Sequence, residues 1–100
     1  MSSSKTLTVF AIFLLAAGTA FAYTGSEFAK EATVSLEQAR AIALKAVPGR
    51  ITDEELEREK GGSGLRYSFG IAAGKVTHEV GVDAKTGELL ENSVDETHPD

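Results

Sequence analysis

Apolar residues return at three- and four-residue steps from Val34 to Val47, then at every second position from Leu65 to Ile71 and from Val76 to Val82. The first rhythm is that of a helix lying on a surface, the second that of strands with one buried face. In the helical stretch Leu36, Ala39, Ile42, Ala43, Ala46 and Val47 make one stripe, with Arg40, Leu44 and Lys45 off its centre. Ser35 is a good N-cap, and Gln38 three residues later completes a capping box. Glu37 sits in the first turn, where the helix dipole favours an acid. Pro48 stops the helix and Gly49 can take a left-handed turn after it. A helix this short is marginal alone in water, so it needs a surface to pack on.

The alternating stretches supply that surface. Leu65, Tyr67, Phe69 and Ile71 point one way, as do Val76, His78, Val80 and Val82. With Ala73-Gly74 as the turn centre, Ile71 faces Val76, Phe69 faces His78, Tyr67 faces Val80 and Leu65 faces Val82. On the other face Ser68 then meets Glu79, and Arg66 reaches Glu79 or Asp83 diagonally. A two-stranded hairpin is not stable by itself, so a third strand is expected. Residues 50–60 are the candidate, although their composition favours a helix. Ile51 and Leu56 are five apart, and a bulge between them brings both to one face of a strand. Residues 61–64, Gly-Gly-Ser-Gly, read as a loop. Asp83 to Glu88 reads as a turn, after which Leu89 or Leu90 returns to the sheet. The predicted fold class is α+β, one helix packed on a three- to four-stranded antiparallel sheet in the order α-β-β-β. Residues 23–33 read as a flexible lead-in with a frayed helical turn around Phe28, and residues 92–100 as a disordered tail.

The first 22 residues follow a different logic. Lys5, the apolar run from Leu7 to Ala17 and Ala20-Phe21-Ala22 form the layout of a secretory signal peptide, with cleavage expected between Ala22 and Tyr23. The apolar run is short of the roughly 20 residues that a spanning helix needs. Losing Lys5 with the leader takes the net charge from −5 to −6. An acidic surface argues against nucleic acid and anionic membrane as partners. The chain has no cysteine, so no disulfide can stand in for an apolar core. The expectation is a monomer, periplasmic or extracellular, with no membrane contact after cleavage.

Candidate chemistry is sparse. Lys85-Thr86-Gly87 matches the KTG triplet of penicillin-binding enzymes and class A β-lactamases, but those also need S-x-x-K and S-D-N elements. The one S-x-x-K here, Ser2 to Lys5, lies in the leader, and S-D-N is absent. The triplet therefore reads as a turn, with Gly87 taking the positive φ that closes it. A calcium loop is disfavoured because Lys85 stands where an oxygen ligand is needed. Asp53, Glu54, Glu55, Glu57 and Glu59 form an acidic run, read as a solvated edge strand whose charge discourages edge-to-edge pairing. His78 is a weak metal candidate; no second ligand lies at helix or strand spacing. No nucleophile, metal cluster or phosphate loop emerges, and nothing calls for a cofactor, so the chain reads as a non-enzyme.

The order of features resembles a PepSY domain. The carriers are Ser35-Leu36-Glu37-Gln38-Ala39-Arg40-Ala41-Ile42-Ala43, the Pro48-Gly49 stop, Glu55-Leu56-Glu57, Tyr67-Ser68-Phe69 and the ending from Glu79 to Leu89, E-V-x-V-D-A-x-T-G-x-L. They span residues 34–91. His78 stands where the family commonly has an aromatic, and Gly81 where it has a larger residue. The resemblance implies one helix across an antiparallel sheet, an exported location and a non-catalytic interaction module that inhibits or regulates a peptidase. The candidate partner-binding residues lie on the sheet face away from the helix (Arg66, Ser68, Thr77, Glu79) and on the acidic strand (Glu55, Glu57). The alternative is a small-ligand or metal-ion binding protein of the periplasm using His78 and the carboxylates.

Overall fold

The computed structural model describes residues 23–95; the expected leader, residues 1–22, and the last five residues lie outside them. Helix α1 (Leu36–Ala46) is followed by β1 (Arg50–Arg58), β2 (Leu65–Ala73), β3 (Val76–Asp83) and β4 (Leu89–Val94). The four strands form one antiparallel sheet in sequence order. One helix followed by four antiparallel strands is the α+β arrangement that the pattern predicts, at the upper of its two strand counts.

The helix starts where the capping box places it. Ser35 Oγ accepts from the Gln38 N–H at 3.0 Å, and Gln38 Oε1 accepts from the Ser35 N–H at 2.8 Å. Ala39, Ala43 and Val47 are fully or almost fully buried, with Leu36, Ile42 and Leu44 half-buried beside them. Small alanines at the centre bring the helix close to the sheet. Ala46, placed in the stripe by spacing, is exposed, and Leu44 leans inward instead. The covered face of the sheet carries Leu56, Leu65, Tyr67, Phe69, Ile71, Val80 and Val82, all at most 2 % exposed.

Strand β1 is formed as expected, with the bulge. Its register on β2 shifts between Ile51 and Asp53, so that Ile51 pairs with Ile71 and Leu56 with Tyr67 on one face. The β2–β3 hairpin departs from the expected register by two residues. Tyr67 pairs with Val82, Phe69 with Val80, Ile71 with His78 and Ala73 with Val76. The turn centre is Gly74-Lys75, one position later than Ala73-Gly74, with Gly74 at φ 68°. A glycine at the first central position is what a two-residue hairpin loop of the primed kind demands. A slip of two leaves every side chain on its own face, which is why the alternation holds.

Both flanks are more ordered than the sequence suggests. Residues Ser26–Glu31 form a short 3-10 helix. Tyr23 and Phe28 pack against the core, Thr24 forms a parallel bridge to Glu55, and the Leu56 N–H donates to Thr24 O at 2.9 Å. Arg58 lies over the Phe28 ring at 4.6 Å and pairs with Glu31 at 2.7 Å. This is a docked segment rather than a flexible one. At the other end Asn92, Ser93 and Val94 pair with Val80, Glu79 and His78, so the strand takes three residues assigned to the tail.

Candidate functional site

The turn that carries Lys85-Thr86-Gly87 is a structural lock. The Asp83 side chain, fully buried, accepts four hydrogen bonds: at Oδ1 from the N–H of Lys85 (2.8 Å), the N–H of Thr86 (3.1 Å) and the Ser63 hydroxyl (2.8 Å), and at Oδ2 from the Ser63 N–H (2.7 Å). Burial pushes this carboxyl's pKa up, but the hydrogen bonds from Ser63, Lys85 and Thr86 outweigh it and hold the value at about 2. Gly87, at φ 84°, donates its N–H back to Asp83 O at 2.9 Å. The next residue joins the helix entry to the sheet. Ala84 O accepts from the N–H groups of Thr33 and Val34, each at 2.9 Å, and the Tyr67 hydroxyl donates to Val34 O at 2.7 Å. The Tyr67 phenol is pushed to higher pKa by its burial and by the neighbouring Tyr23 phenol. One turn thus ties together the loop at residues 61–64, the start of the helix and the middle of β2. Lys85 and Thr86 themselves are exposed.

The helix covers only one face of the sheet, and the other face carries the candidate partner-binding residues. Across it run the rows Asp53–Gly70–Glu79–Ser93 and Glu55–Ser68–Gly81–Glu91, with Glu57 beside Arg66. Glu55, Glu57, Thr77 and Glu79 are half-buried at the surface of this face, whereas Arg66 and Ser68 are buried beneath it. Ser68 donates its hydroxyl to Glu57 at 2.7 Å. Arg66 does not go to Glu79 or Asp83, as the sequence reading expects. It reaches Glu91 on β4 at 3.4 Å and the Lys60 carbonyl at 3.1 Å. The strand order explains this. Gly81 has no side chain, and a Cβ there would stand 3.2 Å from an Arg66 guanidinium nitrogen and 3.3 Å from Glu91 Cβ. Arg66 therefore crosses β3 over Gly81, so that glycine is a berth rather than bare surface. Gly70 is similarly flanked by Thr52, whose hydroxyl donates to Gly70 O at 3.2 Å.

The carboxylates on this face act on one another. Glu79 is held above the usual carboxylate range, first by burial and then by Glu91, Asp95, Asp53 and Glu55. Glu55 is raised by burial, then by Glu57 and Asp53. The face is thus an acidic surface with one embedded cation. Asp53, from the acidic run, and Glu91 belong to it as well; Glu91 becomes visible only once β4 is paired. Glu54 points to the helix side, where Arg40 holds it with two hydrogen bonds at 2.9 and 2.8 Å. His78 is also on that side. Its Nδ1 lies 3.4 Å from Asn92 Oδ1, and the sheet separates it from Glu55, Glu57 and Glu79. Among the described residues no group of three or more His, Asp or Glu side chains converges in a way that could hold a metal ion.

The profile described as "Peptidase propeptide and YPEB domain", PepSY, matches residues 33–92. The chain belongs to the PepSY family. The match takes in the helix, the first three strands, the Asp83 lock and β4 as far as Asn92. No curated protein and no solved structure matches the chain. PepSY domains are associated with peptidase propeptides and their regulation. Among the described residues no helix is long and apolar enough to cross a membrane.

Proposed function

We propose that this PepSY domain is a non-catalytic module that binds and restrains a peptidase in the cell envelope or outside the cell, through the sheet face that the helix leaves open. The observation that supports this reading most is the composition of that face: Asp53, Glu55, Glu57, Glu79 and Glu91 around a buried Arg66, with Glu55 and Glu79 raised in pKa by burial and by their neighbours. Carboxylates that repel one another in the free protein gain when a complementary cation arrives, and such complementarity chiefly sets association rate and partner choice. Glu55, Glu57, Thr77 and Glu79 make the contact. Arg66 and Ser68 act one layer down, holding Glu91 and Glu57 in place. Export through a cleaved leader at residues 1–22 completes the reading, since it brings the domain to where its partner works.

The test is affinity capture on the immobilised chain from an envelope fraction, followed by peptidase assay of the captured material. Peptidase activity should be retained on wild-type chain, fall when excess free chain is added, and be absent from a Glu55→Lys/Glu79→Lys double variant. Captured material without peptidase activity, or activity indifferent to added chain, would overturn the proposal.

A further inference from the structure

Strand β1 is an edge strand, and its outer edge is only half covered. Toward its C-terminal end Thr24 sits alongside, with its parallel bridge to Glu55 and its carbonyl accepting from the Leu56 N–H at 2.9 Å. The outward-facing backbone of β1 is therefore competent to take a further strand. Upstream of that bridge the edge runs beside a shallow groove of about 370 Å³, lined by Tyr23, Thr24, Ile51, Thr52, Asp53 and Glu54. Its walls combine a tyrosine ring and an isoleucine with two acids. Glu54 is already held by Arg40, whereas Asp53 is exposed and makes no ion pair among the described residues. Arg40, Arg58 and Arg66 are engaged elsewhere, with Glu54, Glu31 and Glu91, while Arg50, at the start of the same strand, is exposed and makes no ion pair among the described residues. The bulge at Thr52 blunts pairing over a long stretch. It leaves room for a short segment.

We propose that the groove along residues 50–54 of β1 is a docking site for an extended, lysine- or arginine-bearing segment of a partner protein, added to the sheet edge as a short strand. Backbone hydrogen bonds to the outer edge of β1 supply affinity, and side chains of alternate residues supply selectivity. An apolar residue of the segment lies against Tyr23 and Ile51. A basic residue meets Asp53. The site adjoins the open sheet face at Asp53 but lies along the strand's edge, and it does not depend on the partner being a peptidase.

The probe is acetyl-Lys-Val-Lys-Val-Lys-amide, titrated into the intact ¹⁵N-labelled chain and followed by NMR. Saturable shifts should centre on the amides of Ile51, Thr52, Asp53, Glu54 and Thr24, and Asp53→Lys should weaken binding by about tenfold or more. The same peptide N-methylated on alternate backbone nitrogens should not bind, because it cannot form the ladder. Glu79→Lys, on the open face, should leave binding unchanged. Equal binding of the N-methylated peptide, an unaffected Asp53→Lys variant, shifts centred on Ser68, Glu79 and Glu91, or no saturable binding would each overturn the proposal.

Discussion

Replacing Asp83 with alanine should be the most damaging polar substitution in the domain, and its cost should depend on pH in a defined way. The carboxylate is fully buried and accepts from three backbone N–H groups and one hydroxyl. Its pKa is lowered from 3.8 to about 2. That difference corresponds to about 2.5 kcal/mol of stability from ionisation alone. The hydrogen bonds from Ser63, Lys85 and Thr86 are the source of that shift, and water can reach their donors once the carboxylate is gone. A total of about 2–3 kcal/mol therefore follows, against about 4–11 kcal/mol expected for a domain of this size. The sign is that of a depressed carboxyl. Its contribution is complete above pH 3.8 and is lost as pH falls through about 2. Urea unfolding of wild type and Asp83→Ala, followed by circular dichroism from pH 7 to pH 2, measures this directly. The gap between the two should be full at pH 7 and should narrow below pH 3.8. A gap under about 1 kcal/mol at pH 7, or one constant down to pH 2, would refute the assignment of Asp83 as a charged lock.

Two further substitutions separate strong from weak contacts. Glu54→Gln breaks a two-pronged pair with Arg40, but the partners are 22 % and 42 % exposed, so chemical denaturation should register no more than about 1 kcal/mol. Tyr67→Phe removes the 2.7 Å bond to Val34 O and should cost about 0.5–1.5 kcal/mol while leaving the circular dichroism spectrum unchanged.

The sequence shows the elements more clearly than their pairing. The helix is legible because Ser35 and Gln38 cap it and Pro48-Gly49 ends it, all local signals. The alternation of β2 and β3 is legible because one face of each is buried. The register is not, because a two-residue slip preserves both faces; only the backbone preference of Gly74 distinguishes the two turns, and Ala73-Gly74 and Gly74-Lys75 both contain it. The partner of Arg66 depends on that register and on β4, whose last residues, Asn92-Ser93-Val94, have no period to announce a strand. The Asp83 turn is readable as a turn from Asp and Gly alone. That it also anchors Ser63, twenty residues earlier, needs the fold. Tyr23 and Phe28 carry the one sign that the lead-in docks: two large aromatics in a polar stretch.

Hydrogen–deuterium exchange of the intact chain with and without its captured peptidase tests the central claim most directly. Protection on binding is predicted over residues 66–70 and 77–81 and along β1, with helix α1 unchanged. Protection confined to residues 36–46, leaving the open sheet face as fast as in the free protein, would contradict it.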